Sequence, residues 1–264
     1  MRNTVEMGIN LRSPAELEKM HCAGLVVWDV LQALKGLAAP GLTTMDLEKL
    51  AERRTAGHGA RPAFKGYRGY PCVLCTSINN EVIHGIPSAK RKLREGDILS
   101  LDFGVELEGY YADAAVTVPL GAIRPELETL LRVTREALDR AIENMRPGNR
   151  LGDISNAVQG WVEQHGFSVV REFVGHAIGT RMHEDLQLPN FGEPGRGPRV
   201  QEGLVLAIEP MVNLGQPDVR MLDDKWTAVT ADGAASAHFE HTVAATSNGP
   251  WILTRPRDVN GPSW

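Results

Sequence analysis

The sequence predicts an α+β fold with approximate internal two-fold symmetry, and three observations support this prediction. Short blocks of the first half recur in the second half at a fixed offset of 107 residues. Each half opens with two helical patterns and continues with apolar, β-branched runs. One of these runs forms a hairpin pattern with an aspartate inside each strand. A duplicated unit of two helices followed by strands accounts for all three.

The repeat is carried by four pairs of blocks that keep one register without a gap. They are Pro40-Gly41 with Pro147-Gly148, Asp46-Leu47 with Asp153-Ile154, His58-Gly59 with His165-Gly166, and 95–102 with 202–209. In this register Asp102 is equivalent to Glu209. If the symmetry axis passes between these two residues, their side chains meet at one site.

The elements of the first half follow from their caps and turns. Ser13 as N-cap and Pro14 at the first helical position open the first helix. In order, the first half contains a helix at 14–34, a helix at 43–54, a Gly- and aromatic-rich loop at 61–70, a strand candidate within 73–83, and the hairpin at 98–118.

The second half repeats the two helices and is then rich in strands. Pro147-Gly148 stops the third helix. The elements are helices at 125–144 and 153–164, and strand candidates at 168–174, 175–179, 204–208, 212–214, 226–229 and 236–244. We expect one domain over residues 1–255, with halves at about 13–120 and 121–253, and a poorly ordered tail at 256–264.

The hairpin carries Asp102 and Asp113 in strands joined near Glu108-Gly109. Aspartate is depleted from strands, and a buried carboxylate is costly unless it is paired or bound to a metal. The spacing places the two aspartates nearly opposite each other, where like charges repel. A divalent cation between them removes that repulsion. The alternative is that one aspartate ends a strand while the other lies in a solvated turn.

Composition excludes several classes of partner. The net charge of −5 and the pI near 5.9 argue against nucleic acid or an anionic membrane surface. There is neither a signal-peptide pattern nor an apolar run of about 18 residues. We therefore expect a soluble, cytoplasmic protein, most simply a monomer. The three cysteines form no disulfide framework, and Cys72-Val-Leu-Cys75 lacks the second pair that a structural zinc site needs.

Two further carboxylates complete a candidate metal site. The repeat adds Glu209, and the late strand at 236–244 adds Glu240. Four carboxylates balance two divalent cations, a pairing suited to hydrolysis. His176, between small residues in Gly175-His-Ala-Ile-Gly179, is the best imidazole candidate. Oxygen donors with an imidazole favour manganese, iron, cobalt or zinc.

The other histidines fall into three groups. His84 and His183 lie in Gly-, Pro- or charge-rich loops, where an unliganded imidazole can act on a substrate. His238 and His241 flank Glu240, and strand alternation prevents both from sharing its face. The remaining ones, near helix faces or ends, are interpreted as structural or solvated: His21, His58 and His165.

Taken together, the short motifs resemble the signature of type I methionine aminopeptidases over about residues 13–253. The motifs are 83–87 (Ile-His-Gly-Ile-Pro), 101–104 (Leu-Asp-Phe-Gly), Asp113, 175–179, 182–184 (Met-His-Glu), 208–210 (Ile-Glu-Pro) and 239–242 (Phe-Glu-His-Thr). The resemblance implies the pita-bread fold, an antiparallel sheet covered by helices. It implies removal of N-terminal methionine from newly made proteins, near the ribosome, with preference for a small second residue.

The resemblance also implies a role for each site residue. Asp102 and Asp113 are expected to bind one metal; Asp113, His176, Glu209 and Glu240 bind the other, with Asp113 and Glu240 bridging. Glu209 is also expected to carry the proton, His84 to contact the substrate nitrogen, and His183 to contact the scissile carbonyl.

The family's methionine pocket corresponds to Tyr67, Tyr70, Cys75, Met182 and Trp226. A monovalent cation site is expected near Asn79, Glu81 and Ser236. Three residues depart from the family pattern: Phe64 replaces a frequent Cys, Met182 an aromatic residue, and Ala177 a glycine. These changes affect pocket shape rather than the metal ligands.

Two alternative functions remain. Xaa-Pro aminopeptidases and prolidases share the fold but usually carry an additional N-terminal domain, whereas only about 95 residues precede the first aspartate here. Type II methionine aminopeptidases carry a late helical insertion, for which the spacing from His176 to Glu240 leaves little room. A non-catalytic binding protein of this fold is the other alternative, although such proteins lose metal ligands and all five are present here.

Overall fold

The structure is a computed structural model, and it describes residues 9–259, 261–262 and 264. The four predicted helices are confirmed, with ends that differ by at most three residues from the prediction. They are α1 Pro14–Leu37, α2 Thr44–Gly57, α3 Pro125–Asn144 and α4 Leu151–Gln164. None of these described helices combines the length and apolar character needed to cross a membrane.

Most strands join one antiparallel sheet. In the first half the strands are β1 Arg61–Pro62, β2 Leu74–Ile78, β3 Glu81–Ile83, β4 Ile98–Leu107 and β5 Tyr110–Pro119. In the second half they are β6 Ser168–Val169, β7 Gly175–Ala177, β8 Gln187–Leu188, β9 Val205–Ile208, β10 Met211–Asn213, β11 Val219–Met221, β12 Ala228–Thr230, β13 Ser236–His238, β14 Glu240–Thr246 and β15 Gly249–Ile252. The sheet order is β1-β4-β5-β14-β9-β7-β8, with β2 beside β4 and β15 beside β14.

The helices cover the apolar face of this sheet. The capping box predicted at Ser13 is present, with Glu16 as its reciprocal partner. The core between α1 and the hairpin β4–β5 contains fully buried side chains such as Leu31 and Phe103. Most residues of β4 and β5 are buried, and most of the buried ones are apolar. The buried carboxylates Asp102 and Asp113 are exceptions to this composition.

The predicted duplication is visible in the backbone. The helix α4 begins and ends 107 residues after α2. The isolated bridges Thr43–Lys92 and Arg150–Arg199 are related by the same offset. Gly41 and Gly148, also equivalent, have φ of 97° and 101°. The two halves therefore repeat each other down to single hydrogen-bonded turns.

The two aspartates lie nearly opposite each other across the hairpin, as predicted, and are two residues away from exact pairing. Glu108 and Gly109 have φ of 51° and 85°, the positive values of a two-residue hairpin turn. This turn pairs Asp102 with Ala115 and Gly104 with Asp113. The aspartates are diagonal neighbours on one face rather than directly opposed, because the turn backbone sets the register. Diagonal neighbours share a face, so both carboxylates can reach one cation.

The poor order expected of the tail stays a prediction, and residues 260 and 263 of this segment lie outside the described residues. The described tail residues pack on the domain: the Trp264 indole stacks on His241 at a centroid distance of 4.5 Å and on Trp28 at 5.3 Å. Its Nε1 donates to the Glu240 carbonyl at 3.2 Å. The stacked rings and this hydrogen bond give the tail contacts that its Pro- and Gly-containing sequence did not indicate.

Candidate metal centre and substrate cavity

The sheet register brings three of the predicted metal ligands together, namely Asp102, Asp113 and Glu240. Asp102 on β4 and Glu240 on β14 both pair with Ala115 of β5, so the three residues form one row across the sheet. Asp113 lies two residues before Ala115 and therefore on the same face. Three neighbouring strands thus direct three carboxylates to one point.

The other two predicted ligands, His176 and Glu209, lie on or next to the second-half strands β7 and β9. His176 on β7 pairs with Ala207 of β9. Glu209 follows two residues later, immediately beyond the end of β9, on the same face as Ala207. The structure therefore brings Glu209 to the site that Asp102 enters from the first half.

The five side chains are buried and close together. His176 Nε2 lies 3.6 Å from Asp113 Oδ2 and 3.6 Å from Glu209 Oε1. Ligand atoms of Asp113, His176 and Glu240 lie within 4.8 Å of one another. All five ligand residues are at most 8% exposed. This geometry is compact enough for shared metal ligation.

Neighbouring groups hold the ligands in place. His176 Nδ1 is 3.1 Å from the Ala177 carbonyl, so Nδ1 carries the proton and Nε2 is left to bind a metal. The Thr242 hydroxyl lies 3.1 Å from Asp113 Oδ1 and donates to the Asp113 carbonyl at 2.8 Å. Metal sites in proteins commonly have such supporting hydrogen bonds.

Burial changes the protonation of the whole cluster. It raises the pKa of Asp113 to about 7, and burial with the charge of Asp113 raises the pKa of Asp102 well above its usual value. Burial and neighbouring carboxylates likewise raise the pKa of Glu209 and of Glu240. Burial lowers the pKa of His176 to about 4, so its imidazole is neutral at pH 7.

This donor set fits divalent cations. Metal binding requires ionised carboxylates and a neutral imidazole. Protein burial alone opposes the ionised carboxylates, whereas a cation among them would stabilise every one. Oxygen donors with one imidazole are ligands that manganese, iron, cobalt and zinc accept.

A cavity of about 130 Å³ opens onto the cluster. Its walls include all five predicted ligands and both predicted catalytic histidines. They also include every residue predicted for the methionine pocket: Tyr67, Tyr70, Cys75, Met182 and Trp226. Phe64 lines the cavity as well. Sequence reasoning missed Ile83 and Arg68, for which the only signals were their positions beside His84 and Tyr67.

The two loop histidines that line this cavity, His84 and His183, are held by different contacts. His84 has φ of 63°, a strained value for a residue with a side chain, and its ring meets Phe173 and Trp226 edge-on. His183 Nδ1 lies 3.0 Å from the Tyr67 hydroxyl, and its ring centroid is 4.1 Å from that of His176. Burial lowers the pKa of His84 to about 4 and that of His183 to about 3.

The two cysteines of the CxxC pattern, Cys72 and Cys75, are both buried, and Cys75 alone of the two lines the cavity. Cys75 lines the cavity, and burial raises its thiol pKa well above the usual value. Burial also raises the pKa of Cys72 to about 11. Thiols with raised pKa values are poor nucleophiles, which argues against a redox role.

The residues proposed for a monovalent cation are close in space. The Ser236 amide donates to the Asn79 carbonyl at 2.8 Å. The Glu81 carboxylate accepts from the Ile78 amide at 2.8 Å and pairs with Arg91 at 2.6 Å. A monovalent cation here stays a prediction.

Comparison with known proteins identifies the family. The model of metallopeptidase family M24 matches residues 18–247. A methionine aminopeptidase of Clostridium perfringens is 52% identical over 246 residues, which cover 93% of this chain and 98% of the relative. The crystal structure of a methionine aminopeptidase from Thermotoga maritima has a TM-score of 0.93 at 46% identity, covering 94% of this chain and 100% of that one. The chain belongs to the methionine aminopeptidases of family M24.

A wider likeness confirms the M24 fold. A prolidase from Pyrococcus furiosus has a TM-score of 0.74 at 20% identity, covering 94% of this chain and 66% of that one. At this identity the likeness concerns the fold alone. The family resemblance and the pita-bread fold expected from the short motifs are both confirmed.

Proposed function

We propose that this protein is a methionine aminopeptidase that uses two divalent cations to hydrolyse the first peptide bond of chains beginning with methionine. The observation that carries the proposal is the convergence of five buried candidate ligands on the wall of a cavity that four aromatic side chains also line. Family membership supports the same activity.

The ligands divide between two cations. Asp102 would help to hold one cation, and His176 and Glu209 would help to hold the other, with Asp113 and Glu240 contributing to both. Four carboxylates balance the charge of two divalent cations. When bound, such a pair supplies Lewis acidity and lowers the pKa of water. Manganese, iron, cobalt and zinc all suit these donors.

Side chains of the protein hold the substrate and move the proton. Glu209 takes a proton from the attacking water and delivers it to the leaving amine, acting first as general base and then as general acid. His84 contacts the substrate nitrogen. When the Tyr67 hydroxyl donates to His183 Nδ1, Nε2 keeps its proton and can donate to the scissile carbonyl as negative charge develops there.

The cavity supports a preference for methionine followed by a small residue. Tyr70 and Trp226 meet edge-on at 5.1 Å, and a thioether makes favourable contacts with such ring edges. At about 130 Å³ the cavity is smaller than the roughly 300–1,000 Å³ of sites for drug-sized ligands. One methionine side chain then leaves little space for a large neighbour.

The proposed substrates are the N-termini of newly made polypeptides. The enzyme is proposed to act as a monomer in the cytoplasm, close to the ribosome. The acidic net charge of −5 supports peptide rather than nucleic-acid substrates.

A direct test prepares metal-free protein and restores manganese, iron, cobalt or zinc one at a time under anaerobic conditions. We expect two metals per chain and release of methionine from a Met-Ala-Ser peptide. Met-Leu-Ser should react at least about 10-fold more slowly, a difference of about 1.4 kcal/mol in transition-state free energy. Cleavage of an Ala-Pro peptide alone, or no hydrolysis with metal bound, contradicts the proposal.

A further inference from the structure

The catalytic imidazole of His183 is carried by an irregular loop, residues 179–184, which we term the His183 loop. The metal ligands lie in strands or at strand ends, so ladder hydrogen bonds fix them. The His183 loop depends on other contacts. Its first residue, Gly179, accepts from the Tyr111 amide at 2.7 Å, and its last, Glu184, donates its amide to the Ala177 carbonyl at 2.8 Å.

The Glu184 carboxylate connects this loop to the start of the described chain. It accepts from the Thr180 amide at 3.2 Å, from Asn10 Nδ2 at 2.9 Å and from the Arg12 guanidinium. The side chains of Arg12 and Glu184 are only 8% and 3% exposed. A buried carboxylate with several donors is held rigidly, because each donor fixes its position.

The segment around Arg12 is itself fixed to the sheet that bears the metal ligands. The Arg12 amide donates to the Gly203 carbonyl at 2.7 Å, and Leu11 forms a bridge with Leu204, just before β9. A Cβ at Gly179 would collide with the Arg12 guanidinium, so the loop backbone lies directly against this cation. The ion pair thus joins the His183 loop to β9, the strand that ends just before Glu209.

We propose that Arg12 and Glu184 form a positioning pair for His183. They hold the loop so that the imidazole lies beside His176 and within reach of the Tyr67 hydroxyl, where it can meet the scissile carbonyl. The pair acts through the loop and touches neither substrate nor metal. This inference rests on the proposed function, because it assigns the pair to the same reaction.

A double-mutant cycle tests whether the pair acts through His183. Arg12→Met removes the charge and keeps the stem, and Glu184→Gln keeps the shape. We expect each to lower kcat/KM for a Met-Ala-Ser peptide by on the order of 100-fold, mainly in kcat, because small displacements of a catalytic group are costly. Arg12→Lys should restore part of the loss. In a His183→Ala background the same two changes should cost less than about threefold.

A matched control separates positioning from general destabilisation. Asp153→Asn weakens a carboxylate contact with the Arg150 and Gly195 amides, away from the cavity. It should lower Tm, as Arg12→Met does, and leave kcat/KM within about twofold. Metal content should match the wild type in all these variants, since the described hydrogen bonds of the Glu184 carboxylate reach Asn10, Arg12 and Thr180 rather than a proposed metal ligand.

Amide hydrogen exchange gives a readout that does not depend on activity. Exchange at residues 179–184 should accelerate in Arg12→Met and Glu184→Gln but not in Asp153→Asn. Unchanged loop exchange, or losses in kcat/KM that multiply with that of His183→Ala, would overturn the positioning role. A wild-type protein that fails to cleave methionine peptides overturns the proposed function instead, while loop exchange still reports whether the pair holds the loop.

Discussion

The two halves of the molecule bring equivalent positions to the metal centre in unequal ways. In the first half β4 and β5 run for ten residues each in an unbroken ladder, with Asp102 and Asp113 in their interiors. The corresponding segment of the second half is interrupted: β9 ends before Glu209-Pro210, and β10 begins after them. Proline cannot continue the ladder because it has no N–H to donate.

This difference gives the two halves different kinds of candidate ligand. The first half contributes short side chains on a continuous hairpin, which suits ligands that only hold a cation. The second half contributes His176 and two longer glutamates near strand ends, and Glu209 lies where the backbone leaves the sheet. Duplication therefore accounts for the position of the site, and under the proposed function the break in the strand distinguishes Glu209, the ligand that also carries a proton, from Asp102.

The largest effects are expected when the two equivalent carboxylates, Asp102 and Glu209, are neutralised one at a time. Glu209→Gln should lower kcat by about 10²–10⁴-fold, the usual contribution of a general acid–base group, while metal remains bound. Asp102→Asn should instead reduce the metal content from two ions per chain to one. Metal analysis and single-turnover kinetics on the same preparations check both outcomes. Equal loss of metal in the two variants would mean that the halves contribute identical roles.

Without metal, the buried carboxylates should make the unfolding free energy depend on pH, and Asp113 allows this to be tested. Asp113 has a pKa of about 7 in the folded protein, above the value of about 3.9 in an unfolded chain. Its contribution to stability is therefore fully present below about pH 4 and is lost as pH rises through about 7. Asp113→Asn stays neutral, so its metal-free stability relative to wild type should rise from pH 5 to pH 7, by at most about 1.4 kcal/mol per pH unit, and then level off.

Urea unfolding at pH 5, 6, 7 and 8 measures this difference. Comparing variant with wild type cancels the buried histidines, whose lowered pKa values act in the opposite direction. With saturating manganese the order should reverse, because the metal binds ionised Asp113 in the wild type. A relative stability that does not change with pH in the absence of metal would show that Asp113 ionises normally.

The smallest effect tests the symmetry itself. Gly41→Ala and Gly148→Ala place a side chain on backbone with φ near 100°, where nothing lies within 4 Å of the new Cβ. Each should cost about 1–3 kcal/mol of unfolding free energy through backbone strain alone, and the two costs should agree within about 0.5 kcal/mol. Gly36→Ala, in helix α1 with equally open space, should stabilise by up to about 1 kcal/mol. Clearly unequal costs at Gly41 and Gly148 would show that the turns are not energetically equivalent.

Several features could be read from the sequence because their causes are local or repeated. The helices followed from caps and periodicity, as at Ser13, and the carboxylates stood out because aspartate is rare in buried strands. The 107-residue repeat makes Asp102 equivalent to Glu209 from the sequence alone. The family motifs then assigned His84 and His183, which no local pattern distinguishes from an ordinary loop histidine.

The sequence by itself determined the helices, the duplicated plan and the side chains proposed as metal ligands, since propensity, periodicity and charge burial act over short stretches or in repeated blocks. Only the tertiary structure decided the diagonal register of Asp102 and Asp113, the packing of Trp264, and the contact between Arg12 and Glu184. The first depends on turn dihedrals. The other two join residues far apart in the chain, and such contacts depend on how the whole sheet brings its edges and loops together.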